Sequence, residues 1–222
     1  VFPFVPVTAE AEAVNNFNFS CFADKKVSII GDSISTFQGV SNDTSYNSTI
    51  GSNAVYYGNT SSENYSQYAH IRWEDTWWQQ TCDLLGMELL VNNSWSGSCV
   101  STVVDKDEKA ACMKRATQLH NDTLGIEPDI IILIIGGNDA LRGYEIGTYS
   151  GISDIYDADN HAYIGDCTMF GQAYATMVHK VKSRYSSADI YVASMLHWNP
   201  RKHNKSLVPY NDMIRKISDD LQ

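Results

Sequence analysis

The chain has 222 residues and a formal net charge of −10, with 26 Asp and Glu against 16 Lys and Arg. That length fits one α/β domain and lies far above the roughly 40 residues below which a core needs staples. The acid excess argues against a nucleic-acid partner, because phosphate binding rests on clustered Lys and Arg, and the longest apolar run, residues 130–135, falls well short of the ~20 residues of a membrane span.

Residues 1–24 carry prolines and little periodicity, and read as an extended arm ahead of a single domain over residues 25–222. Residues 26–30 are a short apolar run ending at Gly31-Asp32-Ser33, which predicts a buried first strand with a tight turn at its carboxyl end. Residues 39–70, rich in Ser, Asn, Thr, Tyr and Gly, follow neither the helical nor the strand period and read as a loop insertion. Residues 74–85 predict a helix with Trp77, Cys82 and Leu85 near one face and Gly86 as terminator. Residues 88–91 predict a second strand, which gives way to Asn92-Asn93-Ser94-Trp95-Ser96-Gly97.

Residues 106–120, rich in charge and alanine, predict a surface helix. Pro128 then precedes the strongest strand, residues 129–135, with six Ile and Leu in a row followed by Gly136-Gly137-Asn138-Asp139. A run apolar on both faces belongs in a parallel sheet covered by helices. Residues 143–165 read as another loop, and residues 168–185 as a helix with Phe170, Tyr174, Met177, Val178 and Val181 inward. Residues 188–195 predict a fourth strand, and residues 208–221 a last helix.

The order βαβαβαβα implies a doubly wound, flavodoxin-like three-layer α/β/α domain with a parallel sheet. Such sheets bind ligands outside the carboxyl ends of their strands. Gly31-Asp32-Ser33, Gly97 and Gly136-Gly137-Asn138-Asp139 all follow predicted strands, so three separated segments converge on one rim. Taken singly, Ser33 is a helix cap and the other two are turns; together they describe a site.

These segments resemble the first three blocks of the SGNH (GDSL-type) hydrolases, in matching order and spacing over roughly residues 26–140. The resemblance implies that Ser33 is the nucleophile, and that the Ser33 N–H, the Gly97 N–H and the Asn138 side chain form an oxyanion hole. Attack on an ester builds charge on oxygen, and each fixed donor aimed at it is worth about 3 kcal/mol of barrier. Asp32 is not assigned as the triad acid, since neighbours on a turn point in different directions.

The family takes its base from an Asp-x-x-His motif after a fifth strand, and no histidine of this sequence has Asp three residues before it. The sequence also stops on the helix that should lead into that strand, so the domain is expected to be incomplete at its carboxyl end. A longer protein, a second chain completing the sheet, or a relative that has lost its chemistry would each account for this. His197, after the fourth strand, and His161, in an acidic loop, are the substitute bases within the chain.

Asn-x-Ser/Thr occurs at Asn18, Asn42, Asn47, Asn59, Asn64, Asn92, Asn121 and Asn204, four of them between Asn42 and Asn64. With a first residue that is not Met, this predicts a secreted or extracellular-surface protein bearing N-linked glycans. Five cysteines without Cys-x-x-Cys imply two disulfides and one thiol, or buried free thiols, rather than a metal site. Tyr46, Tyr56, Tyr57, Tyr65, Tyr68, Trp73, Trp77, Trp78, Trp95 and Trp198 supply flat rings in or beside the rim loops, suited to sugar faces or acyl groups. The expected protein is a secreted serine ester hydrolase acting on acylated carbohydrate, without metal or cofactor. The alternative is an inactive, glycosylated surface-coat protein that keeps the fold and assembles with other chains.

Overall fold

The computed structural model describes residues 19–37, 73–103, 109–196 and 204–221. Strands β1 (Lys26–Gly31), β2 (Glu88–Ser94) and β3 (Ile130–Ile134) come first, followed by a two-stranded ribbon, β4 (Tyr156–Asp157) and β5 (Ala162–Tyr163), and then β6 (Asp189–Val192). The helices are α1 (Trp77–Leu85), α2 (Gly137–Arg142), α3 (Phe170–Arg184) and α4 (Asn204–Asp220). The main sheet has the order β2-β1-β3-β6, and each of its pairings is parallel. Helices cover both faces, as the three-layer expectation requires.

The alternation of strand side chains divides the core in two. On one face Val27 and Ile130 are buried with Cys82 and Met87, against α1. On the other, Ile30, Ile131 and Leu133 join the larger core with Phe170, Tyr174, Met177, Val178 and Val181 of α3 and Ile214 and Ile217 of α4. The inward stripe of α3 is the one its helical period predicts. Helix α1 begins at Thr76, whose hydroxyl accepts from Gln79 N–H at 3.3 Å, and ends at Gly86 with φ +70°. It buries Cys82 and packs Leu85 against that core as predicted, whereas Trp78 rather than Trp77 is the buried tryptophan.

Residues 109–120 correct the predicted surface helix. They form turns and one short 3-10 segment, Lys114–Thr117, and Ala110, Ala111, Cys112, Arg115, Ala116 and Leu119 are fully buried. This strap is instead held by backbone bonds from Ala111 N–H to Cys99 O and from Cys112 N–H to Val100 O, with Ser28 Oγ donating to Leu119 O at 2.7 Å.

The predicted loop 143–165 contains a short turn, Ile152–Asp154, and the β4–β5 ribbon, whose two-residue strands are too short to show a period. The insertion 39–70 lies outside the described residues, as do Asn18, Asn42, Asn47, Asn59 and Asn64. Among the described residues no strand pairs with the outer edge of β6, and no helix is long and apolar enough to cross a membrane.

Candidate active site

Strand register sets the site. Gly31, the last residue of β1, is level with Ser94 on one side and Ile134 on the other, so three chain segments leave the sheet at the same height. Gly31 has no room for a side chain. A Cβ there would stand 2.6 Å from both Cβ and Oγ of Ser35 and 2.8 Å from Ser94 Oγ. The chain therefore turns sharply into a 3-10 segment, Ser33–Ser35, capped by the Asp32 carboxylate, which accepts from Ile34 N–H at 3.1 Å. Thr36 Oγ1 donates to Ser33 O at 2.9 Å and closes the turn. Ser33 is half-buried at its apex.

The second turn follows β2. Gly97 has φ +72°, a left-handed conformation that favours glycine. Its carbonyl accepts from both terminal nitrogens of Arg142, each at 3.2 Å, and Arg142 Nη1 also reaches Cys99 Sγ at 2.7 Å. The third segment is α2. Asn138 Nδ2 donates to Ser98 O at 2.9 Å, which commits one of its two N–H groups and leaves the other. Asp139 is fully buried, and its carboxylate accepts from Val100 N–H (2.9 Å), Ser101 N–H (3.0 Å) and Ser101 Oγ (2.7 Å). Helix α2 thus clamps the Gly97 turn from both ends. Neither the Ser33 N–H nor the Gly97 N–H donates to another described residue.

Burial perturbs both acids here. It pushes the Asp32 carboxyl up to about 6, against the Ile34 N–H bond and the charge of Arg115, which both lower it. Asp139 is raised for the same reason, with its bonds to Ser101 and Val100 opposing. The Arg115 guanidinium is fully buried beneath the turns and donates to Gly31 O (2.8 Å), Asn93 O (2.6 Å) and Lys109 O (2.8 Å), over the Trp95 ring. It joins the ends of β1 and β2, two residues ahead of Ser33 in the chain. Reading residues 106–120 as a surface helix made Arg115 a surface charge, and no local pattern distinguishes it from one.

The described histidines lie away from the rim. His161, at φ +51°, faces Tyr156 Oη at 3.4 Å on a ribbon that packs Tyr156 and Tyr163 against His179. His179 is nine residues along α3 from Phe170, roughly 13 Å by helical rise, and Phe170 lies under Gly136 at the rim. His120 bonds to Asp122 and Tyr185 Oη. His197 lies outside the described residues, immediately after Met195 and Leu196, which line a small cavity with Asp32, Ile34 and Gly137.

Two sequence expectations change in this region. Asn92 is buried in β2 and its amide donates to Ser35 O at 2.8 Å, so it supports the Ser33–Ser35 turn and is no acceptor for a glycan in the folded chain. Asn121, half-buried, caps a turn through Leu124 N–H, and Asn204 opens α4. Trp78 and Trp95 are core residues, whereas Trp77 Nε1 donates to Ser35 Oγ at 3.1 Å beside the turn. Trp198 lies outside the described residues. Among the described residues no group of three or more His, Cys, Asp or Glu is placed to hold a metal ion.

The family model for GDSL-like lipases and acylhydrolases matches residues 25–208. Among solved structures, a protein described as a GDSL-like lipase from Bacteroides uniformis is 27% identical with a TM-score of 0.64, over 92% of this chain and 83% of that one. One from Bacteroides ovatus with the same description is 23% identical with a TM-score of 0.65, over 90% of this chain and 82% of that one. A family two carbohydrate esterase from Cellvibrio japonicus is 16% identical with a TM-score of 0.50, and the match spans 88% of this chain and 49% of that one. No curated protein matches the chain.

Proposed function

The chain belongs to the GDSL-like lipase/acylhydrolase family, a family of ester hydrolases, and from that premise we propose that it is a serine esterase with Ser33 as nucleophile. One observation carries the reading. Two backbone N–H groups without a partner among the described residues, those of Ser33 and Gly97, leave the same end of the sheet as an Asn138 amide with one N–H to spare. Those are the donors that a developing oxyanion needs, and the clamp by Asn138, Asp139 and Arg142 keeps the Gly97 turn from reorganising during reaction. Arg115 and Asn92 position the nucleophile turn from below and behind.

A serine hydroxyl needs a base. Within this chain His197 is the residue we assign, because it directly follows the two β6-side residues at the rim cavity. The reaction runs in two halves: attack by Ser33 Oγ forms an acyl-serine and releases the alcohol, and water then releases the acid. The substrate we propose is an acylated carbohydrate. Trp77 bonds to the nucleophile turn, and the sequence between Phe37 and Trp73 carries Tyr46, Tyr56, Tyr57, Tyr65 and Tyr68, rings of the kind that stack on sugar faces.

Release of acetate from an acetylated oligosaccharide, compared with release of acid from a long-chain lipid ester, tests both parts. Ser33→Ala should lose at least about 10³-fold of kcat, and Asn138→Ala about 10²-fold to 10³-fold with KM little changed. His197→Ala should remove the acid limb of the pH profile. Full activity in Ser33→Ala overturns the nucleophile, an unchanged pH profile removes His197, and preference for the lipid ester overturns the substrate class. A folded protein inert toward both esters favours the glycosylated scaffold instead.

A further inference from the structure

The stretch leading inward from the Gly97 turn is tied to two cysteines: Cys112 N–H donates to Val100 O at 3.2 Å, and Thr102 N–H donates to Cys167 O at 2.8 Å. The two cysteines are thereby held to residues two apart on one backbone stretch, and both pack in the same core, which makes them neighbours whose thiols influence one another. Cys112 is completely buried, and Cys167 is half-buried at the margin of the same core. The other cysteines have different surroundings: Cys21 is exposed, Cys82 belongs to the small core on the opposite sheet face, and Cys99 contacts Arg142.

We propose that Cys112 and Cys167 form a disulfide site, entered through Cys167 and closed by Cys112, with a low-molecular-weight or protein disulfide as oxidant. The burial difference sets the order, since Cys112 is shielded from any reagent. The hydrogen bond from Cys112 favours the Cys167 thiolate, with Thr176 and the Lys180 charge acting in the same direction. Lys180 Nζ is held in place by donating to Cys112 O at 2.7 Å.

The Cys167 thiolate attacks one sulfur of the external disulfide, breaks its S–S bond and expels a thiolate, leaving a mixed disulfide. Cys112 then gives up its proton and attacks Cys167 Sγ, forming the intramolecular bond and expelling the second thiolate. Two electrons pass to the external disulfide, and the two protons end on its released thiols. The new bond ties the strap at Cys112 to the segment leading into α3, pinning from outside the residues whose N–H groups hold Asp139. The inference stands independently of the esterase reading.

Trypsin isolates Cys112 in the peptide of residues 110–114 and Cys167 in that of residues 143–180, with no other cysteine in either. The native full chain is incubated with oxidised glutathione, acid-quenched, alkylated with N-ethylmaleimide and mapped without reduction. The expected product is the 110–114 peptide joined to the 143–180 peptide and separated again by a reductant. Cys112→Ala should instead accumulate glutathione on Cys167, and Cys167→Ala should leave Cys112 alkylated and unmodified by glutathione. Alkylation of both cysteines in the wild-type protein, stable glutathione on wild-type Cys167, or a bond from Cys112 to any other cysteine overturns the proposal.

Discussion

The two ends of the parallel sheet treat charge in opposite ways. At the amino ends of the strands, Lys25 and Asp129 pair at 3.4 Å, Arg184 and Glu127 at 2.8 Å, and Lys26 pairs with Glu88, all with partly exposed side chains. The Lys26 N–H bond holds the Asp129 carboxyl below the usual carboxylate range. At the carboxyl ends, Asp32, Arg115 and Asp139 are buried and both carboxyls are pushed up. Exposed pairs contribute little because water already solvates them. Buried charges are costly unless every partner is fixed, and a fold keeps them where geometry has to be held.

That contrast orders the expected effects of substitution. Arg115→Met removes the guanidinium that donates to the carbonyls of Gly31, Asn93 and Lys109 and should destabilise by about 3–5 kcal/mol, seen as a lowered urea midpoint together with lost activity. Asp139→Asn turns an acceptor toward three donors into a partial clash and should cost about 2–3 kcal/mol, measured in the same way.

Asp32→Asn should act in the opposite direction and depend on pH. The folded carboxyl titrates at about 6 and an unfolded one near 4, so the folded state binds the proton more tightly. Its stabilising contribution is fully present below about pH 4 and is lost as pH rises through about 6. The neutral variant should be more stable than the parent by about 1–3 kcal/mol at pH 8, with no gain at pH 4. Denaturant titrations at the two pH values check this, and a variant less stable than the parent at pH 8 would refute the assignment. Glu127→Ala, at the other end of the sheet, should change stability by no more than about 0.5 kcal/mol. A loss as large as that of Asp139→Asn would erase the contrast between the two ends.

What the sequence made legible was local. The six-residue Ile/Leu run, the Gly86 terminator and the period of α3 each write their element into neighbouring residues. So did the turns after β1 and β3, where glycine and small polar residues mark the exit, whereas β2 runs on through Asn92–Ser94, beyond the predicted end at residue 91. The strap of residues 109–120 was misread because its burial comes from backbone bonds to residues 99–100 and from Arg115 reaching Gly31, contacts distant in sequence. Asn92 carried a glycan acceptor pattern that its strand position cancels. Cys112 and Cys167, which no spacing rule links, are held to the same 100–102 stretch. Elements were readable from period and punctuation; the shell that holds the site rigid was not, because it is assembled across the fold.

The central claim is that the oxygen of Ser33 faces a preformed set of amide donors. A fluorophosphonate probe reacts with an activated serine and leaves a tetrahedral phosphorus whose oxygen occupies an oxyanion hole. Peptide mapping after labelling should place the adduct on Ser33, abolish it in Ser33→Ala and slow it at least about 10²-fold in Asn138→Ala. An adduct on a different serine, or labelling at Ser33 that is indifferent to Asn138, would contradict the account.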